Sequence, residues 1–262
     1  MDIIYLTSFD REIYLASGKD LIWSFNATKT EGKLLVYYEK MRPEEIISGH
    51  QITMFDITNS PTLTNFLQQN ASMIPVYLGG RALPCKCPNN KIKNAPHRPG
   101  CHYQWFNRNA FRWFRKIVAL EHAISIVQSD DIVVWVDADC FFKRRLTIAN
   151  LMTIFGENGV FYFKSKFRPI LEGGIVGYNL ARGGKIIIDK FKARYMSGRF
   201  KHDNRWDDCY QLGLTLAENR DIKSIDLARR ISGHSDVVCN SALASFFEHR
   251  KGRHGRILKI MK

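Results

Sequence analysis

An apolar run from Ile132 to Val136 stops at two carboxylates separated by a single alanine, Asp137 and Asp139. Continuous β-branched sequence of this kind suits a strand buried on both faces. Open α/β sheets keep their ligands at the carboxyl ends of such strands. Side chains at i and i+2 share a strand face, so a turn just after Val136 could aim both carboxylates at one point. Few, hard oxygen donors suit Mg²⁺ or Mn²⁺ that also binds a substrate phosphate. The plain structural alternative is an acidic turn after a core strand.

A second group of metal-binding side chains lies between Gly79 and Cys101, a long segment rich in Gly, Pro, Asn, Lys and Arg. Within it, Cys85, Cys87, His97 and Cys101 could close a tetrahedral Zn²⁺ site, because thiolates and imidazole are the donors zinc prefers. Cys-x-Cys is tighter than the spacing of standard fingers, so unrelated loop thiols are the alternative. Such a zinc would be structural, pinning a basic loop that carries Lys86, Lys91, Lys93 and Arg98. The remaining cysteines, Cys140, Cys209 and Cys239, fall in apparent core or helical contexts. This is not a secreted disulfide framework, and a reducing, cytoplasmic setting is expected.

The elements that must position these groups alternate along the 262 residues. Strand, helix and strand are expected at Ile3 to Thr7, Arg11 to Asn26 and Lys33 to Tyr38, the opening of a Rossmann-like sheet. No Gly-x-Gly-x-x-Gly follows the first strand, which disfavours a dinucleotide fold. Further strands are expected at Gln51 to Ile57, Ile74 to Leu78, Gly159 to Lys164, Glu172 to Asn179 and Ile222 to Leu227. Helices are expected from Pro61, over Trp105 to Gln128 and Leu146 to Phe155, and over Ala181 to Gly198. Another begins at Asp207 and Asp208, where acidic residues suit a helix start. The N-terminus lacks the pattern of a signal peptide, and no apolar segment approaches the ~20 residues of a membrane span. The formal charge of +14 favours an anionic partner.

Val136-Asp137-Ala138-Asp139, the acidic helix start Trp206-Asp207-Asp208-Cys209-Tyr210 and a terminal His249-x-Lys251-Gly252 occur in one chain order. Together they resemble the GT-A glycosyltransferases with their DxD motif. The resemblance implies an α/β fold, a GT-A (Rossmann-like) mixed central sheet flanked by helices in a single domain over 1–262. Residues 1–140, with the Cys/His-rich loop 79–102, would be the nucleotide-sugar half, and 141–262 the acceptor half with the metal and diphosphate tail. It implies Mn²⁺ or Mg²⁺ on Asp137, Asp139 and His249, with His234 a weaker candidate ligand. The donor would meet Thr7, Ser8, Lys116, Asp137, Lys251 and Gly252; Arg108, Arg112 and Arg115 rival Lys116. Thr7 and Ser8 fit a helix N-cap region equally well. Glu172, Gly173 and Trp206 would face the acceptor, and Asp208, with Asp207 second, would take its proton.

The Trp206–Tyr210 segment and the tail are similar to a phage-encoded group related to the base-J glucosyltransferase. Members of that group put a sugar on hydroxymethylated pyrimidines in DNA. This implies a donor linked to UDP, double-stranded DNA as partner, and the cytoplasm of an infected cell. Trp105, Trp113 and Trp206 would then be stacking aromatics. A glycan, lipid-linked sugar or protein acceptor, or a catalytically inactive DNA-binding relative, are the other readings. The Cys/His loop and the second Asp at 207 depart from the pattern.

Overall fold

Strand β1 (Ile3–Asp10) lies parallel to β2 (Lys33–Glu39), which in turn lies parallel to β3 (Ile52–Asp56). On its other side β1 pairs in parallel with β4 (Ile132–Val136). The computed structural model describes residues 1–71, 109–164, 170–228 and 236–250. The expected zinc ligands Cys85, Cys87, His97 and Cys101 lie outside these residues. So do Trp105, Arg108, His234, Lys251, Gly252 and the expected strand at 74–78.

Beyond β4 the sheet changes direction. Strand β7 (Leu171–Asn179) runs antiparallel to β4, and β6 (Val160–Lys164) antiparallel to β7. The short β8 (Ser224–Asp226) lies parallel to β6 at the edge. The order is β3-β2-β1-β4-β7-β6-β8, a mixed seven-stranded sheet. Every residue of β4 is buried, as its unbroken apolar sequence requires of a strand covered on both faces.

The covering helices divide between the two faces. On one side α3 (Pro61–Gln69), α4 (Ala110–Ile126), α6 (Gly184–Met196) and α7 (Asp208–Glu218) pack against the sheet. Their seam is aromatic: Phe66 stacks on Phe114 at 3.8 Å between centroids, with Tyr195 and Phe200 beside them. Full burial of each such ring stabilises the fold by roughly 1.5–3 kcal/mol. On the other side lie α2 (Lys19–Thr28) and α5 (Ile148–Phe155). The single helix expected over Arg11 to Asn26 is broken. A turn of α1 (Arg11–Ile13) is followed by a π-turn at Tyr14–Gly18 before α2 begins. A Cβ at Gly18 would stand 2.9 Å from the Phe9 ring, so only glycine permits this approach to β1.

A second, two-stranded sheet joins β5 (Cys140–Phe142) to β9 (Phe247–His249), antiparallel, with Cys140 directly opposite His249. Neither strand was expected. The pairing carries the end of the described chain back to the mouth of β4.

Candidate active site

The turn after β4 is the first part of the site. Cys140 N donates to Asp137 O at 2.9 Å, closing a four-residue turn. Asp137 N donates to Gly174 O at 2.7 Å, which ties the turn to β7. Asp137 and Asp139 leave this turn in different directions. Asp137 Oδ1 accepts from Trp135 Nε1 at 2.5 Å and lies 3.5 Å from Lys116 Nζ. Asp139 Oδ1 lies 3.4 Å from His249 Nε2.

His249 is held from three directions. Its strand pairs it with Cys140, the following Arg250 N donates to Asp139 O at 3.0 Å, and its Nδ1 lies 2.8 Å from Asp236 Oδ2. That last contact is an ion-pair approach without the alignment of a hydrogen bond. Burial works against an imidazolium, but the Asp139 and Asp236 carboxylates outweigh it and push the His249 pKa up to about 10. His249 is thereby held as a cation between two anions.

Lys116, on α4, is the centre of the second part. Its ammonium is buried, pairs with Asp208 Oδ2 and donates to Gly173 O at 3.0 Å. It also stands 4.7 Å from the centroid of the Trp135 ring. Burial alone would lower its pKa; Asp137 and Asp208 reverse this and raise it, so the charge is fixed. Among the described residues Asp208 Oδ1 has no hydrogen-bond partner, nor has the buried Tyr178 hydroxyl. A Cβ at Gly173 would lie 2.9 Å from both Asp208 Oδ2 and Cys209 Sγ, so glycine is what lets α7 close on β7 here.

The other expected site residues fall in several places. Asp207 is the N-cap of α7, with Oδ1 accepting from Tyr210 N at 3.1 Å and Oδ2 from Arg205 Nε at 2.7 Å. Both of its oxygens serve the fold, whereas Asp208 is the first helical residue and faces Lys116. Trp206 is buried at 7% exposure, edge-on to Phe200, and its carbonyl accepts from Tyr195 Oη at 2.8 Å. Its ring packs the core, which corrects the expectation of an exposed stacking aromatic. Thr7 is fully buried with Oγ1 unpartnered among the described residues, and Ser8 is half-buried beside it near the end of β1. Glu172 lies on β7, half-buried, opposite Phe163. Arg115 is committed to Glu39 and to Phe111 O, and Arg112 stacks 5.1 Å over Trp113. Trp135, Asp236 and Cys140 were not expected at the site. Cys140, adjacent to Asp139, and Trp135, two residues before Asp137, carried a signal of proximity; Asp236 carried none.

No protein-family model matches the sequence, and no curated protein matches it. Solved structures do share its architecture. The galactosyltransferase LgtC, in complex with donor and acceptor sugar analogues, superposes with a TM-score of 0.51 at 13% identity, over 95% of this chain and 87% of that one. Mouse xyloside xylosyltransferase 1 gives 0.46 at 11% identity, over 92% and 94%. The glycosyltransferase GlyE of Streptococcus pneumoniae gives 0.43 at 15% identity, over 85% of this chain and 44% of its own length. The fold is the GT-A fold.

The residues at the β4 turn fit a divalent ion. Ligand atoms of Asp139, Cys140 and His249 all lie within 4.8 Å of one another. Asp236 behind His249 Nδ1 supplies the outer carboxylate that usually fixes a ligating imidazole. Asp137, expected in the same set, does not join this group; its Oδ1 is taken by Trp135. A second group, Asp207, Asp208 and Cys209, is equally compact. The Lys116 ammonium already neutralises it, which leaves little attraction for a cation. No described helix is long and apolar enough to cross a membrane.

Proposed function

We propose that this chain is a metal-dependent glycosyltransferase that moves a sugar from a nucleotide sugar, UDP-linked by our reading, onto a hydroxyl acceptor. The observation that carries the proposal is the register of β5 with β9, which sets His249 beside Asp139 at the carboxyl edge of a GT-A sheet. Asp139 and His249 would hold Mn²⁺, Mg²⁺ or a related divalent ion, with Asp137 alongside. When bound, the ion neutralises charge developing on the leaving diphosphate.

The chain's own residues do the rest. The Lys116 ammonium, fixed between Asp137 and Asp208, adds positive charge on the donor side. Asp208 Oδ1 is an acceptor awaiting a donor, and an incoming hydroxyl of the acceptor supplies it. Removal of that hydroxyl's proton by Asp208 as it attacks the anomeric carbon completes the transfer. Gly173 leaves room for this approach, and Glu172 borders it. Thr7 Oγ1, Ser8, Lys251 and Gly252 are assigned to the donor. A structural zinc on Cys85, Cys87, His97 and Cys101 belongs to the same reading.

For the acceptor we propose a hydroxymethylated pyrimidine in duplex DNA. The support is the charge of +14, far more than one nucleotide sugar needs. The test is incubation with a panel of nucleotide sugars, divalent ions and DNA bearing cytosine, hydroxymethylcytosine or hydroxymethyluracil, then digestion and mass analysis. A gain of one sugar on a hydroxymethylated base, absent in Asp139→Ala, is the expected result. Donor hydrolysis without DNA modification would move the acceptor to a glycan, lipid-linked sugar or protein. No donor turnover with any ion would refute the transferase.

A further inference from the structure

The space between Asp139 and His249 has a third wall, and it is sulfur. Cys140 and His249 are direct partners across the antiparallel β5–β9 ladder. Opposed residues in such a ladder project on one face with Cβ atoms about 4.5–5.5 Å apart. Both side chains point at Gly174 of β7. A Cβ there would lie 3.3 Å from His249 Cε1, 3.5 Å from Cys140 Sγ and 3.6 Å from His249 Nε2. The hollow in front of the thiol and the imidazole therefore exists because position 174 has no side chain. Asp139, one residue before Cys140, closes the hollow from the turn, with Oδ1 3.4 Å from Nε2. Among the described residues no other group of Asp, Cys and His surrounds such a space without an ammonium already in it.

We infer that Cys140 Sγ is the third protein ligand of the ion assigned above to Asp139 and His249, making an oxygen, nitrogen and sulfur site that takes Zn²⁺ or Co²⁺ in preference to Mg²⁺. The inference rests on the proposed metal site and names its selectivity. Mg²⁺ wants near-octahedral oxygen and gains nothing from sulfur, whereas thiolate and imidazole donors select zinc-like ions. Three protein ligands leave an open position, the arrangement in which zinc keeps a place for a substrate oxygen. On binding, a metal–sulfur bond replaces the S–H bond and the proton leaves to solvent, as does the one on His249. The thiol now rests with Sγ 3.6 Å from Gly174 O, a weak contact that costs little to exchange. This differs from the hard-ion preference expected from Asp137 and Asp139 alone, and Asp137, held by Trp135, is the residue that does not complete an oxygen site.

The test uses the full chain with Cys85, Cys87, Cys101, Cys209 and Cys239 changed to Ser, so that Cys140 is the one thiol present. Loaded with Co²⁺, this protein is expected to show a thiolate-to-cobalt charge-transfer band in the near ultraviolet together with visible d–d bands. Cys140→Ser in the same background should lose the charge-transfer band and keep weak d–d absorption. His249→Ala should lose most of both. In competition with a chromophoric chelator, Cys140→Ser should weaken Zn²⁺ by more than the roughly 10- to 100-fold worth of an outer-shell partner, and leave Mg²⁺ binding within about threefold. Cobalt d–d bands that depend on His249 but carry no charge-transfer band would overturn the sulfur ligand and leave the metal site standing. No cobalt binding at all would overturn both. If the Ser background fails to fold by circular dichroism, the native chain compared with Cys140→Ala alone gives the same difference spectrum, and an unchanged spectrum refutes the inference.

Discussion

Replacing Lys116 with Met isolates the contribution of the buried pair to the fold. The methionine keeps the volume of the lysine stem but removes the charge. Asp208, at 3% side-chain exposure, then keeps a carboxylate with no cation beside it, and Gly173 O loses its 3.0 Å donor. Removing one partner of a buried ion pair costs about 3–5 kcal/mol. For a domain of this size each kcal/mol lowers Tm by about 2–4 °C, so a fall of about 6–20 °C is expected in a thermal melt. Asp208→Asn is milder, about 1–3 kcal/mol, since Lys116 still faces Asp137 at 3.5 Å. The double variant should cost less than the sum of the singles by more than about 1 kcal/mol in urea unfolding, the size of coupling expected of touching groups. Additivity within about 0.5 kcal/mol, or a single-variant cost below ~1 kcal/mol, would refute the assignment of the pair.

Three further outcomes follow from the same geometry. Gly174→Ala should weaken divalent-ion binding, read by titration calorimetry, with the donor side intact; Gly173→Ala, whose Cβ meets Asp208 and Lys116, should lower turnover about 100-fold and leave ion affinity nearly unchanged. Asp207→Ala should cost about 0.5–2 kcal/mol as a lost N-cap, with far less effect on turnover than Asp208→Asn, checked by melting and donor hydrolysis. In the metal-free protein the raised His249 pKa contributes stability that is full below about pH 6.5 and is lost as pH rises through about 10. A His249→Gln variant should flatten that part of the profile, and a wild-type profile already flat there would refute the ion pairing.

Much of the sheet is legible in the sequence because its strands are unbroken apolar runs. Ile132 to Val136, Lys33 to Tyr38 and Gly159 to Lys164 are read within a residue or two of their bounds. Strands β5 and β9 are not legible, since three residues carry no periodicity and their pairing spans more than a hundred positions. The i, i+2 rule gives Asp137 and Asp139 one face, but it holds only while the chain stays extended. The turn closed by Cys140 N rotates Asp139 away, and the Trp135 indole then claims Asp137. Likewise the sequence carries both Asp207 and Asp208 at a helix start. Which of them caps is decided by the extended backbone at Asp207 (φ −72°, ψ 156°). Trp206 reads as a stacking aromatic, but its ring packs edge-on to Phe200 and its indole N–H donates to Asp203 O, which holds it in the core.

The glycine pair explains how one short stretch of β7 can serve both parts of the site. In a regular strand, neighbours face opposite sides and alternate strictly. The β6–β7 register shifts between Phe161, opposite Gly177, and Phe163, opposite Glu172. Asp137 N bonds Gly174 O and holds the strand to the β4 turn. Gly173 is set against α4 and α7, with Lys116 and Asp208, and Gly174 against β5 and β9, with Cys140 and His249, as that alternation directs. A cation fixed on one side of β7 and an ion pocket on the other then meet at the same carboxyl edge, where a diphosphate would need positive charge from both.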